Sequence, residues 1–182
     1  MLKLSMERQG IPVSLIKAKQ RSKDKLFKRF LKEYGIANDS MSFMFLYQVL
    51  HRLQYERTMS ELEKGCTVIA DRWNASFFVY HDQFGPLARE NAETRKTLDR
   101  LAFDAFDPQI HILLDVPVEI SIQRRIDRGD SIANIAKEVM FYQKISRHYK
   151  QIAKAHKWSI INGTQPIEVV AKEVLTLISD AP

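Results

Sequence analysis

A chain of 182 residues, 45% of them hydrophobic, can close one sizeable core and is too short for an array of domains, so a single domain over 1–182 is expected. Lys and Arg number 28 against 22 Asp and Glu, a formal charge of +6, which calls for an anionic partner and leaves free nucleotides and nucleic acid both open. No apolar run reaches bilayer length, no basic-then-apolar leader opens the sequence, and Cys66 stands alone; these exclude a membrane span, an internal disulfide and a multi-cysteine metal site, and a cytoplasmic protein is expected.

In chain order, residues 1–9 read as the closing turns of a helix, with Leu2 and Met6 on one face, stopped by Gly10 and followed by Pro12. No capping residue precedes it, so the sequence starts inside an element. Residues 13–17 (VSLIK) form a short strand. Over 24–34, Leu26, Phe27, Phe30, Leu31 and Tyr34 fall on one stripe, the spacing of an amphipathic helix that Gly35 ends. Ser40 caps a long helix through Lys64, Gly65 stops it, and a strand over 67–70 follows. Residues 77–89 are expected to be irregular around Gly85-Pro86, and 92–106 to be helical up to Asp107-Pro108.

The run 110–116 (IHILLDV) is a second buried strand, Pro117 opens a helix reaching Arg128, and Gly129-Asp130 breaks it. Ser131 caps a helix over 132–157, and 159–161 is a last short strand. The terminal helix after Thr164-x-Pro166 carries Ile167, Val170, Ala171, Val174, Leu175 and Ile178 on one face. Strands alternating with helices imply an α/β fold, a parallel sheet with helices on both faces.

Chemistry-bearing residues gather at strand ends. The β-branched run ending at Ala70 delivers Asp71 and Arg72 to the sheet rim, with Trp73, Ser76 and Tyr80 just beyond, and ligands of open α/β sheets bind at that rim. Taken alone, the pair reads equally as a salt bridge at a strand end. Asp115 closes the second run and serves to tie down the adjacent loop. Arg124, Arg125 and Arg128 form a cluster that Asp127 and Asp130 only partly neutralise, and a further basic stretch runs from Lys17 to Arg29. His111 alternates with apolar residues in a strand and is expected to be a satisfied core group, and the other histidines, 51, 81, 148 and 156, show no metal-ligand spacing, so no metal held by the protein itself is expected.

The order of these blocks resembles the thymidylate kinase family of P-loop nucleoside-monophosphate kinases. The matching residues are Gly65-x-x-Val68-Ile69-x-Asp71-Arg72-Trp73-x-x-Ser76-x-x-x-Tyr80, then Asp107-Pro108, then Leu113-Leu114-Asp115-Val116-Pro117-x-Glu119, then Arg124-Arg125-x-x-Arg128-Gly129. Tyr142, Tyr149 and Ile161-Asn162-Gly163 follow in the family's order. The resemblance covers nearly all of the chain from Gly10 onward. It implies a three-layer P-loop NTPase-like fold and transfer of the γ-phosphate of ATP, accompanied by Mg²⁺, to dTMP.

The sequence departs from the family in three places. The motif G-x-x-x-x-G-K-[ST] is absent: no glycine is followed by lysine, so the donor phosphates have no nest of backbone N–H groups and no motif lysine. With the family's first strand missing as well, the resemblance implies an amino-terminally truncated member whose two half-sheets keep unpaired edges. After the first strand, an Arg-Glu-Pro-Gly stretch in the family is replaced by Lys17-Ala18-Lys19-Gln20-Arg21, where lysine supplies charge without two-pronged geometry. In the long helix the family places an aromatic residue four positions before an arginine; here Arg52 has Gln48 four before it and Tyr47 five before.

By resemblance, Arg72 contacts the acceptor or transferred phosphate, and Asp71 orients a Mg²⁺-bound water or Arg72 itself. Arg124, Arg125 and Arg128 fall in the lid segment, about 124–137, with Arg128 supplying a guanidinium to the transition state, Arg124 packing on adenine, and Arg125 and Asn162 on the nucleotide. A solvated basic helix end explains the same arginines equally well. Ser76, Tyr80, Arg52, Tyr47 and Lys17 are the acceptor-site candidates, with core packing the competing role for both tyrosines. A deoxynucleoside kinase shares the acid-arginine strand ending, and a nucleotide-binding or assembly module without activity fits the missing motif. Nucleic acid is not expected, because the basic residues are not interleaved with exposed aromatics. The apolar face over 43–53 serves either a homodimer or the chain's own sheet.

Overall fold

The computed structural model of the chain describes residues 2–17, 25–37 and 40–180. Its elements are α1 (Leu2–Arg8), β1 (Val13–Lys17), α2 (Lys25–Glu33), α3 (Met41–Glu63), β2 (Thr67–Asp71), α4 (Asn74–Phe84), a 3₁₀ turn (Pro86–Arg89), α5 (Ala92–Phe103), β3 (Ile112–Asp115), α6 (Val118–Asp127), α7 (Ile135–Ala155), β4 (Ser159–Asn162) and α8 (Ile167–Ser179). The stretch 18–24, with Lys19, Arg21, Lys23 and the expected helix start at Asp24, lies outside the described residues. The chain divides into two compact units, Lys3–Asp107 and Pro108–Pro182, the latter grouped with Met1–Leu2.

In the first unit β1 and β2 pair in parallel, in register from Val13 opposite Thr67 to Lys17 opposite Asp71. Parallel neighbours need a long crossover, and α2 and α3 supply it. The side chain of Ser40 caps α3 by accepting from the Phe43 amide at 3.1 Å, and Gly65 takes the left-handed φ of 78° that lets the chain turn back into β2. Helix α3 lies on both strands and on α5. Two apolar clusters complete the unit: Met44, Phe77 and Leu87 with Phe78 and Leu98, and Trp73, Ala102 and Phe103 with Tyr55, Ala70 and Phe106. The apolar stripe is split: Leu26 and, just past α2, Tyr34 are 70% and 66% exposed, while Phe27 and Leu31 are half-buried, the Phe27 ring centroid 6.1 Å from that of Tyr47.

In the second unit β3 and β4 pair in parallel, from Ile112 opposite Ser159 to Asp115 opposite Asn162. Helices α6 and α7 pack on each other, and Val118, Ile122, Ile145, Ala153, Ile161 and Val174 are buried. Gly163 is closely packed: a Cβ there would lie 2.6 Å from Cγ2 of Val116 and would force that side chain to shift. Among the described residues the strands thus form two two-stranded parallel sheets, the α/β class that alternating strands and helices imply.

The structure corrects three readings of local structure. Residues 74–84 are helical and 86–89 form a 3₁₀ turn, where an irregular segment is expected; burial of Phe77, Val79 and Leu87 in the core outweighs the weak helix propensity of aromatic and β-branched residues. Helix α5 stops at Phe103, because Asp104 and Ala105 both take left-handed backbone angles, φ 54° and 55°. Helix α7 starts at Ile135 rather than Ile132: Asn134, not Ser131, is the cap, its side chain accepting from the Lys137 amide at 2.9 Å.

Candidate functional site

The parallel register sets the chemistry of the first unit. Because Lys17 and Asp71 are Cα partners at the carboxyl ends of β1 and β2, an exposed cation and an exposed carboxylate sit side by side at the strand rim, with Arg72 next in line. Arg72 has a left-handed φ of 75°, unusual for a residue with a Cβ. Its guanidinium carbon lies 5.5 Å from the Tyr80 ring centroid, within cation–π range. The corner is fastened on both flanks: Gln54 Nε2 donates to the Arg72 carbonyl at 2.8 Å, and the Trp73 indole N–H donates to the Phe106 carbonyl at 3.3 Å. One residue further, Asn74 donates to Asp99 at 3.2 Å; burial pushes the Asp99 carboxyl above its ordinary pKa, against the pull of that bond. Ser76 lies in the first turn of α4, its amide donating to the Trp73 carbonyl at 3.0 Å. Lys17, Asp71, Arg72 and Tyr80 are therefore brought together on adjoining elements, with Ser76 between Arg72 and Tyr80 in sequence.

Two acceptor candidates have other company. Arg52 pairs with Glu56 at 3.0 Å, one turn along α3, and its guanidinium lies 4.8 Å from the Tyr55 ring centroid. Tyr47 belongs to an aromatic cluster with Phe27, Phe43, His51 and His81, at centroid separations between 4.8 and 6.2 Å.

That cluster and the buried seam of α3 beside it contain the residues that sequence reasoning missed. His51, Gln54 and Thr58 are each 4% exposed and His81 is 7% exposed. His51 and His81 both pack edge-on or tilted against Phe77. Burial, reinforced by its neighbour His81, lowers the His51 pKa to about 4, and burial brings His81 to about 4 as well, so both imidazoles are neutral near pH 7. Position 51 is spaced seven residues from both buried Met44 and buried Thr58, so one seam of α3 carries all three.

In the second unit, Arg124 Nη1 donates to the Gly163 carbonyl at 2.9 Å, which sets it beside Asn162. Asn162 Oδ1 accepts from both the amide and the hydroxyl of Thr164, at 2.9 and 2.7 Å. Arg125 is committed to the segment around it, with Asp130 at 3.3 Å, Glu138 at 2.9 Å and the Tyr142 ring centroid at 5.3 Å. Arg128 is 71% exposed at the side chain, with Asp130 at 3.6 Å. Asp115 pairs with Lys150 of α7 at 2.8 Å while its carbonyl accepts from the Gly163 amide. The histidine expected in the core, His111, is half-buried and stacks flat on Trp158, centroids 4.7 Å apart.

Among the described residues no group of three or more His, Cys, Asp or Glu side chains is placed to hold a metal ion, and no helix is long and apolar enough to cross a membrane.

Comparison with known proteins gives one consistent result. A family model described as thymidylate kinase matches residues 1–174, running through both units. The chain is 32% identical to the thymidylate kinase of Bartonella henselae over 125 residues, covering 65% of this chain and 57% of the relative. It is 29% identical to that of Thermomicrobium roseum over 129 residues, 69% of this chain and 60% of the relative. With the Chlamydia felis enzyme the identity is 27% over 148 residues, 80% of this chain and 70% of the relative. The chain thus spans somewhat over half the length of the first two relatives. With a match that takes in the Asp71-Arg72 corner, the arginine segment and the Asn162-Gly163 turn alike, this chain belongs to the thymidylate kinase family.

Proposed function

We propose that this chain carries the acceptor site of a thymidylate kinase-like phosphotransferase, with dTMP as acceptor and ATP as donor. The observation that carries the reading is the strand rim of the first unit, where Lys17, Asp71 and Arg72 meet beside Tyr80. Phosphoryl transfer depends on positioning and charge neutralisation more than on covalent help, and two cations with one carboxylate at a strand rim suit a phosphate monoester. In this reading Arg72 and Lys17 hold the acceptor phosphate, Asp71 orients Arg72, and Ser76 and Tyr80 face the sugar and base. Arg52 and Tyr47 serve the acceptor only indirectly, through the α3 packing that frames the corner. Arg124 and Asn162, joined through Gly163, serve the donor nucleotide. Arg125 shapes the segment 124–137, and the exposed Arg128 is the guanidinium left for transition-state charge. The family match running through both units supports a single catalytic domain, and a cytoplasmic setting goes with nucleotide substrates.

Mg²⁺, when it arrives with ATP, supplies charge neutralisation at the phosphates. Asp71 is the rim carboxylate suited to hold a water of that ion.

The test is calorimetric titration with dTMP. Arg72→Ala is expected to weaken binding by about 100-fold, the loss of one charge-assisted contact to a phosphate, whereas Asp71→Asn weakens it only a few-fold. Unchanged binding by Arg72→Ala refutes the reading. Elimination of turnover by Asp71→Asn, in a form of the enzyme that turns over, would favour a deoxynucleoside kinase, whose neutral hydroxyl acceptor needs a general base.

A homodimer forms part of the proposal, since α3 turns Met41, Phe45 and Val49 outward, 40%, 54% and 58% exposed. Val49→Glu is expected to convert a dimer to a monomer in sedimentation analysis. A dimer mass for both proteins would place the interface elsewhere, and a monomer mass for the unsubstituted chain refutes the homodimer.

A further inference from the structure

Gln54 occupies the buried face of α3, 4% exposed, with its amide group aimed at the carbonyl of Arg72. The bond fixes which way the amide points, because exchanging its ends would set oxygen against oxygen. It also leaves Gln54 Oε1 buried without a hydrogen-bond partner. An apolar side chain of the same volume would avoid that orphan, so filling space does not account for a glutamine here. The helix below is fixed as well, since Thr58 Oγ1 donates to the Gln54 carbonyl at 2.9 Å. What the amide holds is the one peptide of the corner whose residue stands at φ 75°, a conformation that persists only where the surroundings over-determine it. Release of that carbonyl lets Arg72 relax toward negative φ, which re-aims its side chain.

We propose that Gln54 is a positioning residue: by holding the Arg72 carbonyl it keeps Arg72 left-handed and so sets the direction in which the guanidinium leaves the strand rim toward Tyr80. The inference rests on the reading that Arg72 meets the acceptor phosphate. Gln54 itself touches no substrate and acts through Arg72.

The experiment titrates the 182-residue chain with dTMP by calorimetry, comparing the unsubstituted protein, Gln54→Met, Arg72→Ala and the double variant, while NMR reports the Arg72 backbone angle. Gln54→Met keeps the volume and removes the donor. It is expected to weaken dTMP binding about tenfold, to move Arg72 out of the left-handed region, and to have no further effect once Arg72 is alanine. Unchanged affinity with an unchanged Arg72 angle overturns the proposal. An equal loss of affinity in both backgrounds also overturns it, because that is the signature of general structural damage. If Arg72→Ala binds as tightly as the unsubstituted chain, or that chain binds no dTMP, the acceptor reading is what fails, and the Arg72 angle in Gln54→Met then decides the positioning claim alone. Should Gln54→Met not fold, Gln54→Glu, the same shape with an oxygen in place of the donor, carries the same expectations.

Discussion

Arg72 shows how one residue joins sequence to site. Its place at the end of a β-branched run is legible from the residues alone, and so is its neighbourhood with Asp71, since both follow from strand periodicity. Its backbone angle is not legible, because nothing local favours a left-handed arginine; in the positioning role proposed for Gln54, that side-chain amide, 18 residues earlier, holds it. The paired histidines were hidden for a similar reason. His51 and His81 are 30 positions apart in the numbering, and only the packing of α3 against α4 puts both rings on Phe77. Their effect on stability has a definite sign. Each folded-state pKa, about 4, lies below the ordinary value of 6.5, so the unfolded chain binds more protons in between, and stability falls as pH drops from about 6.5 toward 4. For His51 the full shift corresponds to a loss on the order of 3 kcal/mol, complete below both pKa values. Thermal unfolding followed against pH is expected to show a midpoint flat above pH 7 and falling through that window. His51→Phe, which keeps an aromatic ring, is expected to remove about half of the slope and leave the part due to His81; an unaltered slope would place the titration elsewhere.

At the scale of elements, a helix end is legible in the sequence where its cap is local and obscured where several caps compete. Ser40 and Gly65 bracket α3 as read, because a serine hydroxyl within reach of the Phe43 amide and a glycine free to adopt positive φ are short-range facts. At α7 both Ser131 and Asn134 qualify. Asn134 prevails, and the link from Arg125 to Asp130 and Glu138, which spans the turn, is the interaction positioned to favour it. Asn134→Ala is expected to cost about 1 kcal/mol while Ser131→Ala costs only a few tenths, measured as denaturation midpoints; the reverse order would restore Ser131 as the cap. The long helix α3 teaches the opposite lesson. Its apolar residues lie on all sides, so its inward face cannot be chosen by hydrophobicity, and the seam that ends up buried carries Met44, His51, Gln54 and Thr58.

At the scale of the molecule, the family match through both units gives the chain its lineage, and its own residues set what it does unaided. The 182 residues contain no G-x-x-x-x-G-K-[ST] motif, the backbone nest and lysine with which P-loop kinases hold donor phosphates. Assayed alone with ATP, Mg²⁺ and dTMP, this chain is expected to produce no dTDP above background in a coupled assay while still binding dTMP by calorimetry. Robust turnover would show that donor binding is supplied by other residues.

The alternation of strands and helices, the charged endings of β2 and β3, and the family are written locally, because they depend on periodicity, turn chemistry and motif order along the chain. Which side of α3 is buried, which arginines are spent on neighbours, and how Arg72 is aimed emerge only when the chain packs. Those outcomes follow from contacts between residues far apart in sequence, whose energies no local pattern records.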